Sequence, residues 1–255
     1  MLAQFGWLTA PFGAALVSLG GEGCLPVARG ILELNMAVIA SDLQSDSDAP
    51  WIYSKWVQAP AQGRSERTFF RFLDAAEALL AERHWHQVSV QEIVKNADAS
   101  VGSFYNRFND KTALLHCLDG RIGEECELTV TGLIDELEIC TPLIENAPAI
   151  VVSLLMRLCT ERAGVIRALD MARKMDGGDS FTGMGPRFDG ALEMLAAFLA
   201  QHNHEVAEYG NLAIVRAFRE TFWLAREKLL YEKGVFDDGA LHKTLMRHFE
   251  ASLQG

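Results

Sequence analysis

The chain has no Cys-x-x-Cys spacing, and its five cysteines, Cys24, Cys117, Cys126, Cys140 and Cys159, are odd in number and scattered. That argues against a disulfide framework and fits reduced thiols in a cytosolic protein. Cys117 and Cys126, with His116, do not make a zinc site: nine residues separate the thiols and no second close pair follows. Catalytic signatures are missing as well. There is no GxSxG or HExxH, and "GGDSFTGMG" from Gly177 follows no strand and lacks Gly-Lys-Ser/Thr, so it reads as a loop rather than a phosphate cradle. His202 and His204 lie at i and i+2, positions that do not face each other on a helix. His84 and His86 flank Trp85, and Glu124, Glu125 and Glu127 have the look of a solvated face. We expect no enzymatic activity, no metal and no resident cofactor.

Positive charge is also short. Lys and Arg number 23 against 34 Asp and Glu, giving a net charge of −11. A chain of that balance does not coat nucleic acid generally, but a local DNA-reading face depends on where its bases sit. Between Arg64 and Arg121 eight bases meet eight acids, so the acidity lies elsewhere.

Met1 to Gly21 carries no charge, which raises a membrane span or a signal peptide. The basic start of a signal peptide is missing, however, and Pro11 with Gly6, Gly13, Gly20 and Gly21 interrupts the run. The acidic "SDLQSDSDAPW" that follows has no apolar periodicity and reads as a linker. Residues 1–62 are therefore expected to be an extension outside the main fold, disordered or the product of a start upstream of Met36, and no membrane contact is expected.

Helical patterning begins at "RTFFRFLDAAEALLAERH". Phe69, Phe72, Leu73, Ala76, Leu79 and Leu80 form one stripe, predicting a helix from about Ser65 to Arg83. Ser89 with Glu92 three residues on has the capping-box pattern, predicting a short helix from Val90 to about Ala97 with Ile93 and Val94 inward. Ala97, Asp98 and Ala99 make a turn. Ser100 then caps a third short helix running to Asn109, and Asp110 caps a fourth that carries Leu114, Leu115 and Leu118. Helix, short helix, turn, short helix is the helix-turn-helix order, whose second short helix enters the major groove of DNA.

This order explains the crowding of small and polar residues in "ASVGSFYNRFNDK". A groove-facing helix uses small residues where its backbone meets DNA, here Gly102 and Ser103, and hydrogen-bonding side chains for phosphates or base edges, here Tyr105, Asn106 and Arg107. Phe104 and Phe108 point to the core. Gly102 weakens an ordinary helix by up to about 1 kcal/mol relative to Ala. Lys111 opposes the helix dipole in a first turn by roughly 0.3 to 1 kcal/mol. Neither favours stability by local propensity, whereas a phosphate at that helix start suits both its amides and the lysine.

The text "FLDAAEALLAERHWHQVSVQEIVKNADASVGSFYNRFNDKTALL" resembles the tetracycline-repressor-like (TetR) family of bacterial transcription regulators. It shares the Ala-Ala helix, the Ser/Thr-Val step and Ala-x-x-Ser-x-Gly-x-x-Tyr-x-x-Phe, followed by a Lys opening the fourth helix. A weaker likeness runs from Arg162 to Gly234. The resemblance implies that Val101, Gly102, Ser103, Asn106 and Arg107 face the groove with Gln91 beside them, that Tyr105 and Lys111 contact phosphates, and that Ser89 touches the backbone. Two positions depart: Asp98 stands for a turn glycine and His84 for the glycine after the first helix. Asp and His tolerate positive φ better than most side chains, and Asp98 adds a negative charge near the DNA face.

From Gly123 onward, helices are expected at Glu124 to Ile139, Pro148 to Thr160, Gly164 to Lys174, Arg187 to Asn203, Asn211 to Lys233 and Asp238 to Leu253. The fold class is thus all-α: an N-terminal helix-turn-helix DNA-binding domain at 63–120, followed by a larger helical ligand-binding and dimerisation domain at 121–255. Met156, Leu158, Met171, Phe198 and Phe222 could line a pocket, but Met and Phe at helical spacing are usually core, and no ligand-binding residue is assigned. Leu212, Val215, Phe218, Phe222 and Leu229, with Leu241, Leu245 and Phe249, form apolar faces on the last two helices. By resemblance these pair with a second subunit; the plainer reading is internal core. The resemblance further implies a cytoplasmic, ligand-responsive repressor that binds a palindromic double-stranded DNA operator as a homodimer and answers to a small-molecule effector. The alternative is a helical ligand- or protein-binding module that has lost DNA recognition.

Overall fold

The computed structural model describes residues 63–140, 143–175, 183–232 and 237–255. The N-terminal extension at 1–62, most of the loop from Gly177 and the end of the helix expected to reach Lys233 lie outside them. The described residues are helical, with no β-strand. In chain order they form α1 (Gly63–Glu82), a 3-10 turn (Trp85–Gln87), α2 (Val90–Asn96), α3 (Val101–Tyr105), α4 (Lys111–Ile139), α5 (Ala147–Glu161), α6 (Ala163–Met175), α7 (Met184–His202), a 3-10 turn (Ala207–Tyr209), α8 (Gly210–Arg226) with a π-helical end (Glu227–Tyr231), and α9 (Asp238–Gln254). They fall into two compact units. One holds the described residues of 63–128 and 157–191, the other those of 129–156 and 192–255.

In the first unit the core of the helix-turn-helix is aromatic. Phe72 meets Phe104 at 5.4 Å and Phe108 at 6.0 Å between ring centroids, Phe104 and Phe108 lie 5.0 Å apart, and Phe69 stacks on Phe108 at 5.4 Å. Ile93, Val94, Leu114, Leu115 and Leu118 close this core. Helix α6 crosses α1 so tightly that a Cβ on Gly164 would lie 2.1 Å from the carbonyl oxygen of Leu80.

Helix α4 is continuous through Gly120 and Gly123, residues of low helix propensity. Its glycines serve packing instead. A Cβ on Gly123 would sit 2.6 Å from the Gly183 carbonyl oxygen, and one on Gly183 would sit 2.6 Å from the Gly120 amide nitrogen. Beside this approach the buried Asp119 carboxylate accepts from Arg173 Nη2 at 3.1 Å and from the Gly183 amide at 2.5 Å.

A row of alternating charges ties α1, α4 and the start of α6 together. Asp74 pairs with Arg121 at 2.8 Å, Arg121 with Glu77 at 3.5 Å, Glu77 with Arg162 at 3.2 Å, and Arg162 with Glu125 at 2.9 Å. Burial pushes the Glu77 carboxyl above its ordinary range against the pull of Arg121 and Arg162. Burial opposes the charge on Arg162 too, yet Glu125 and Glu77 outweigh it and hold the guanidinium more firmly protonated than usual.

In the second unit α8 and α9 form a hairpin. Phe218 and Phe249 meet at 4.5 Å, and Arg216 donates to the Ser252 carbonyl at 2.8 Å. Val215, Phe218, Phe222, Leu241, Leu245 and Phe249 are all buried within the chain, as are Met156 and Phe198. The apolar faces expected at a subunit interface are therefore mostly internal core. Only Leu212, 88% exposed, stands fully clear among the residues of those faces that the sequence singled out. The buried Asn203 ends α7 by donating to the Ile144 carbonyl at 2.6 Å and accepting from the amides of Glu205 and Val206.

Candidate nucleic-acid interface

Three local caps set the helix-turn-helix. The Ser89 hydroxyl accepts from the Glu92 amide at 3.3 Å, and the Glu92 carboxylate accepts from the Ser89 amide at 2.9 Å, so the predicted capping box is formed. The same carboxylate takes the Ser89 hydroxyl proton at 2.7 Å and pairs with Arg83 at 2.6 Å. The Arg83 hydrogen bond, then those from Ser89, hold its pKa down at about 2. Ser100 caps α3 by accepting from the Ser103 amide at 3.1 Å, and Asp110 caps α4 by accepting from the Ala113 amide at 2.7 Å.

Helix α3 is shorter than the sequence suggests. It ends at Tyr105, and Asn106 and Arg107 form a turn in which the Arg107 amide donates to the Phe104 carbonyl at 2.9 Å. An i to i+3 bond of this kind tightens a helix end. Phe104 and Phe108 are fully buried, and the residues between face out: Val101, Gly102, Tyr105 and Asn106 are exposed, while Ser103 and Arg107 are half-buried. Gln91 is exposed on α2. The Ser103 hydroxyl donates to the Ser100 carbonyl at 2.7 Å, so it is already engaged, like that of Ser89. A Cβ at Gly102 would meet only the Ser100 hydroxyl, at 3.9 Å. Among the described residues no close neighbour requires glycine there.

The two departures from the family pattern behave differently. Asp98 adopts φ 45°, the left-handed turn conformation expected of the glycine it replaces. His84 lies at φ −77°, ψ 149°, an extended conformation open to any residue, so tolerance of positive φ plays no part there. Around Asp98 the structure adds a residue that the sequence does not single out. Arg71 Nη2 donates to the carbonyls of Ala97 and Asp98 and lies 3.7 Å from the Asp98 carboxylate. Nothing in the pattern of α1 marks Arg71, because it sits on a polar face and its partners are 26 and 27 residues away.

Lys111 has a structural role absent from the sequence reading. Its ammonium donates to the Trp85 and Val88 carbonyls at 2.7 and 2.8 Å and lies 4.1 Å from the centre of the Trp85 ring. Partial burial lowers its basicity. The argument that a first-turn lysine has no stabilising role is therefore corrected: this one fastens the link between α1 and α2 to the start of α4.

Residues 72–118 match the family model described as bacterial regulatory proteins, tetR family. This segment carries the helix-turn-helix of that family, which supports a DNA-binding transcriptional regulator; the matched residues run from within α1 through α2 and α3 into the first turns of α4. A crystal structure from Mesorhizobium loti MAFF303099, assigned to the TetR family of transcriptional regulators, is similar at 21% identity with a TM-score of 0.47. The match covers 76% of this chain and 98% of that one. No curated protein matches significantly. Among the described residues no helix is long and apolar enough to cross a membrane, and no cluster of His, Cys, Asp and Glu is arranged to hold a metal.

Proposed function

We propose that this protein is a TetR-family regulator, a ligand-responsive repressor that binds a palindromic double-stranded operator as a homodimer. The observation carrying the DNA contacts is the division of the recognition segment. Phe104 and Phe108 anchor it at zero exposure, while Val101, Gly102, Tyr105 (52% exposed) and Asn106 stand outward, and a Cβ at Gly102 would meet only the Ser100 hydroxyl among the described residues. In this reading Val101, Gly102, Ser103, Asn106 and Arg107 meet base edges or the groove wall with Gln91 alongside. Tyr105 contacts phosphate, Lys111 approaches the backbone with the one N–H its two carbonyl bonds leave, and Ser89 contacts the backbone by turning its O–H away from Glu92. Dimerisation through α8 and α9 is supported by Leu212 and by Trp223, 55% exposed, three helical turns further along α8. A small-molecule effector is proposed to bind in the C-terminal helical region and to act through its differential affinity for two states.

The rival reading, a helical module without DNA recognition, draws on the fully exposed Asp98 carboxylate and on the prior engagement of Lys111. Selection of bound fragments from random DNA at two salt concentrations decides between them. Enrichment of a palindromic site, lost in Tyr105→Ala, supports the repressor. Absence of enrichment at both salts, with and without cell extract metabolites, supports the rival.

A further inference from the structure

A small cleft, with interior room of about 10 Å³, lies within the first unit, between the end of α1 and one face of α6. Its lining includes Arg83, His84, Trp85, Gly164, Arg167 and Met171. Three of these side chains are cationic or can become so, and no carboxylate lines the space. In a chain with net charge −11, such one-signed lining runs against the average composition. Arg83 is neutralised on one edge by Glu92 at 2.6 Å, which leaves most of its five N–H donors free of that bond. Arg167 is half-buried and has no hydrogen bond or ion pair with the described residues. Other arginines of this unit behave differently: Arg121, Arg162 and Arg173 each meet a carboxylate within 3.2 Å. A guanidinium withdrawn partly from water and left without a counter-charge is unfavourable, and an anion in the cleft relieves that.

We propose that the mouth of this cleft binds a small oxyanion, a carboxylate or phosphate group held by Arg167 and Arg83 with one oxygen entering the space, His84 at its edge and Trp85 beside it. Arg167, without a competing carboxylate, supplies the main contact. The site touches both connections that hold the DNA-reading helices: Arg83 leads through Glu92 to the Ser89 cap of α2, and Trp85 carries the ring and carbonyl that engage Lys111. Occupancy therefore stiffens the link between α1 and α2. The repressor reading names no residues for its effector; this site, partly on α6 within 121–255, is defined by its own residues and does not depend on that reading.

The test is titration of the full chain with inorganic phosphate by calorimetry, against sodium chloride at matched ionic strength and without DNA. Saturable binding is expected, weakened about 10- to 100-fold in Arg167→Gln and largely retained in Arg167→Lys. Lys174→Gln removes the same charge from an exposed position on the same helix and should leave binding unchanged. Equal effects of Arg167→Gln and Lys174→Gln would show a diffuse field and overturn the site, as would heats no different from chloride. A third arm measures DNA binding in phosphate-free buffer. Loss in Arg167→Gln as large as in Tyr105→Ala would assign the cleft to the DNA backbone and also overturn the proposal. Because the first arm contains no DNA, its failure leaves the repressor reading standing.

Discussion

Arg71 and Asp98, on α1 and in the turn between α2 and α3, form a clasp beside the proposed DNA-reading face. The guanidinium bonds the carbonyls of Ala97 and Asp98 and sits 3.7 Å from the Asp98 carboxylate. The residue that adds a negative charge to this face thus comes with a partner of opposite charge. Both side chains are substantially exposed, so the ion pair itself contributes little, and the bonds to the carbonyls matter more.

Asp98→Asn should separate charge from conformation. Asn also tolerates the left-handed region, so thermal unfolding should shift by no more than about 0.5 kcal/mol. DNA affinity should rise several-fold at low salt, because a negative charge near phosphates is removed. Arg71→Ala should lower stability by about 1 kcal/mol through the lost carbonyl bonds. Fluorescence anisotropy with the selected site, beside thermal melts, checks both.

Glu92 predicts an acid limb. Its carboxyl falls from an ordinary 4.5 to about 2 in the folded chain, so its contribution is complete above the unfolded value and fades as pH falls from about 4.5 toward 2. Wild type should therefore be more stable than Glu92→Gln at pH 7, with the difference narrowing steadily below pH 4.5. Denaturant unfolding across pH reads this. A gap independent of pH would assign the effect to the Gln side chain rather than to charge.

Gly164→Ala should be among the more damaging small substitutions. Its new methyl would lie 2.1 Å from the Leu80 carbonyl oxygen, a backbone atom that moves only if α1 and α6 part. Overpacking of this kind typically destabilises by about 1–3 kcal/mol. Gly190→Ala on α7, with open space at the same position, should change stability little and serves as the control.

At α8 two kinds of variant should part company. Leu212→Glu and Trp223→Glu change exposed residues, so each folds and, if α8 lies in the subunit interface, sediments as a monomer at concentrations where wild type is a dimer. Phe218→Ala empties a fully buried site against Phe249 and should cost about 3–5 kcal/mol whatever the subunit state.

What the sequence made legible was local. Ser89, Ser100 and Asp110 announce helix starts because a cap and its amide lie within three residues of each other. Phe104 and Phe108 announce an inner face by spacing alone, and Asp98 marks its turn by standing where the family has glycine. The relationships that escaped join distant segments. Lys111 finds its carbonyl acceptors 23 and 26 residues earlier, so its placement looked unsupported. Gly120 and Gly123 carried no mark of their role, since nothing local reveals that another backbone presses against them. For α8 and α9 the apolar faces were plain, but periodicity does not say whether the cover comes from the same chain or another, and Phe218 on Phe249 answers for the same chain.

The alternating row from Asp74 through Arg121, Glu77 and Arg162 to Glu125 also shapes how this protein can change over generations. Each inner member is shared by two neighbours, so removing one arginine leaves two carboxylates facing a vacancy, and removing Glu77 leaves two guanidinium groups beside each other. Breaking a buried pair from one side is far more disruptive than replacing it whole. Drift at any one of these positions is therefore expected to be held back until a neighbour changes with it, so that the three helices inherit their joint as a set.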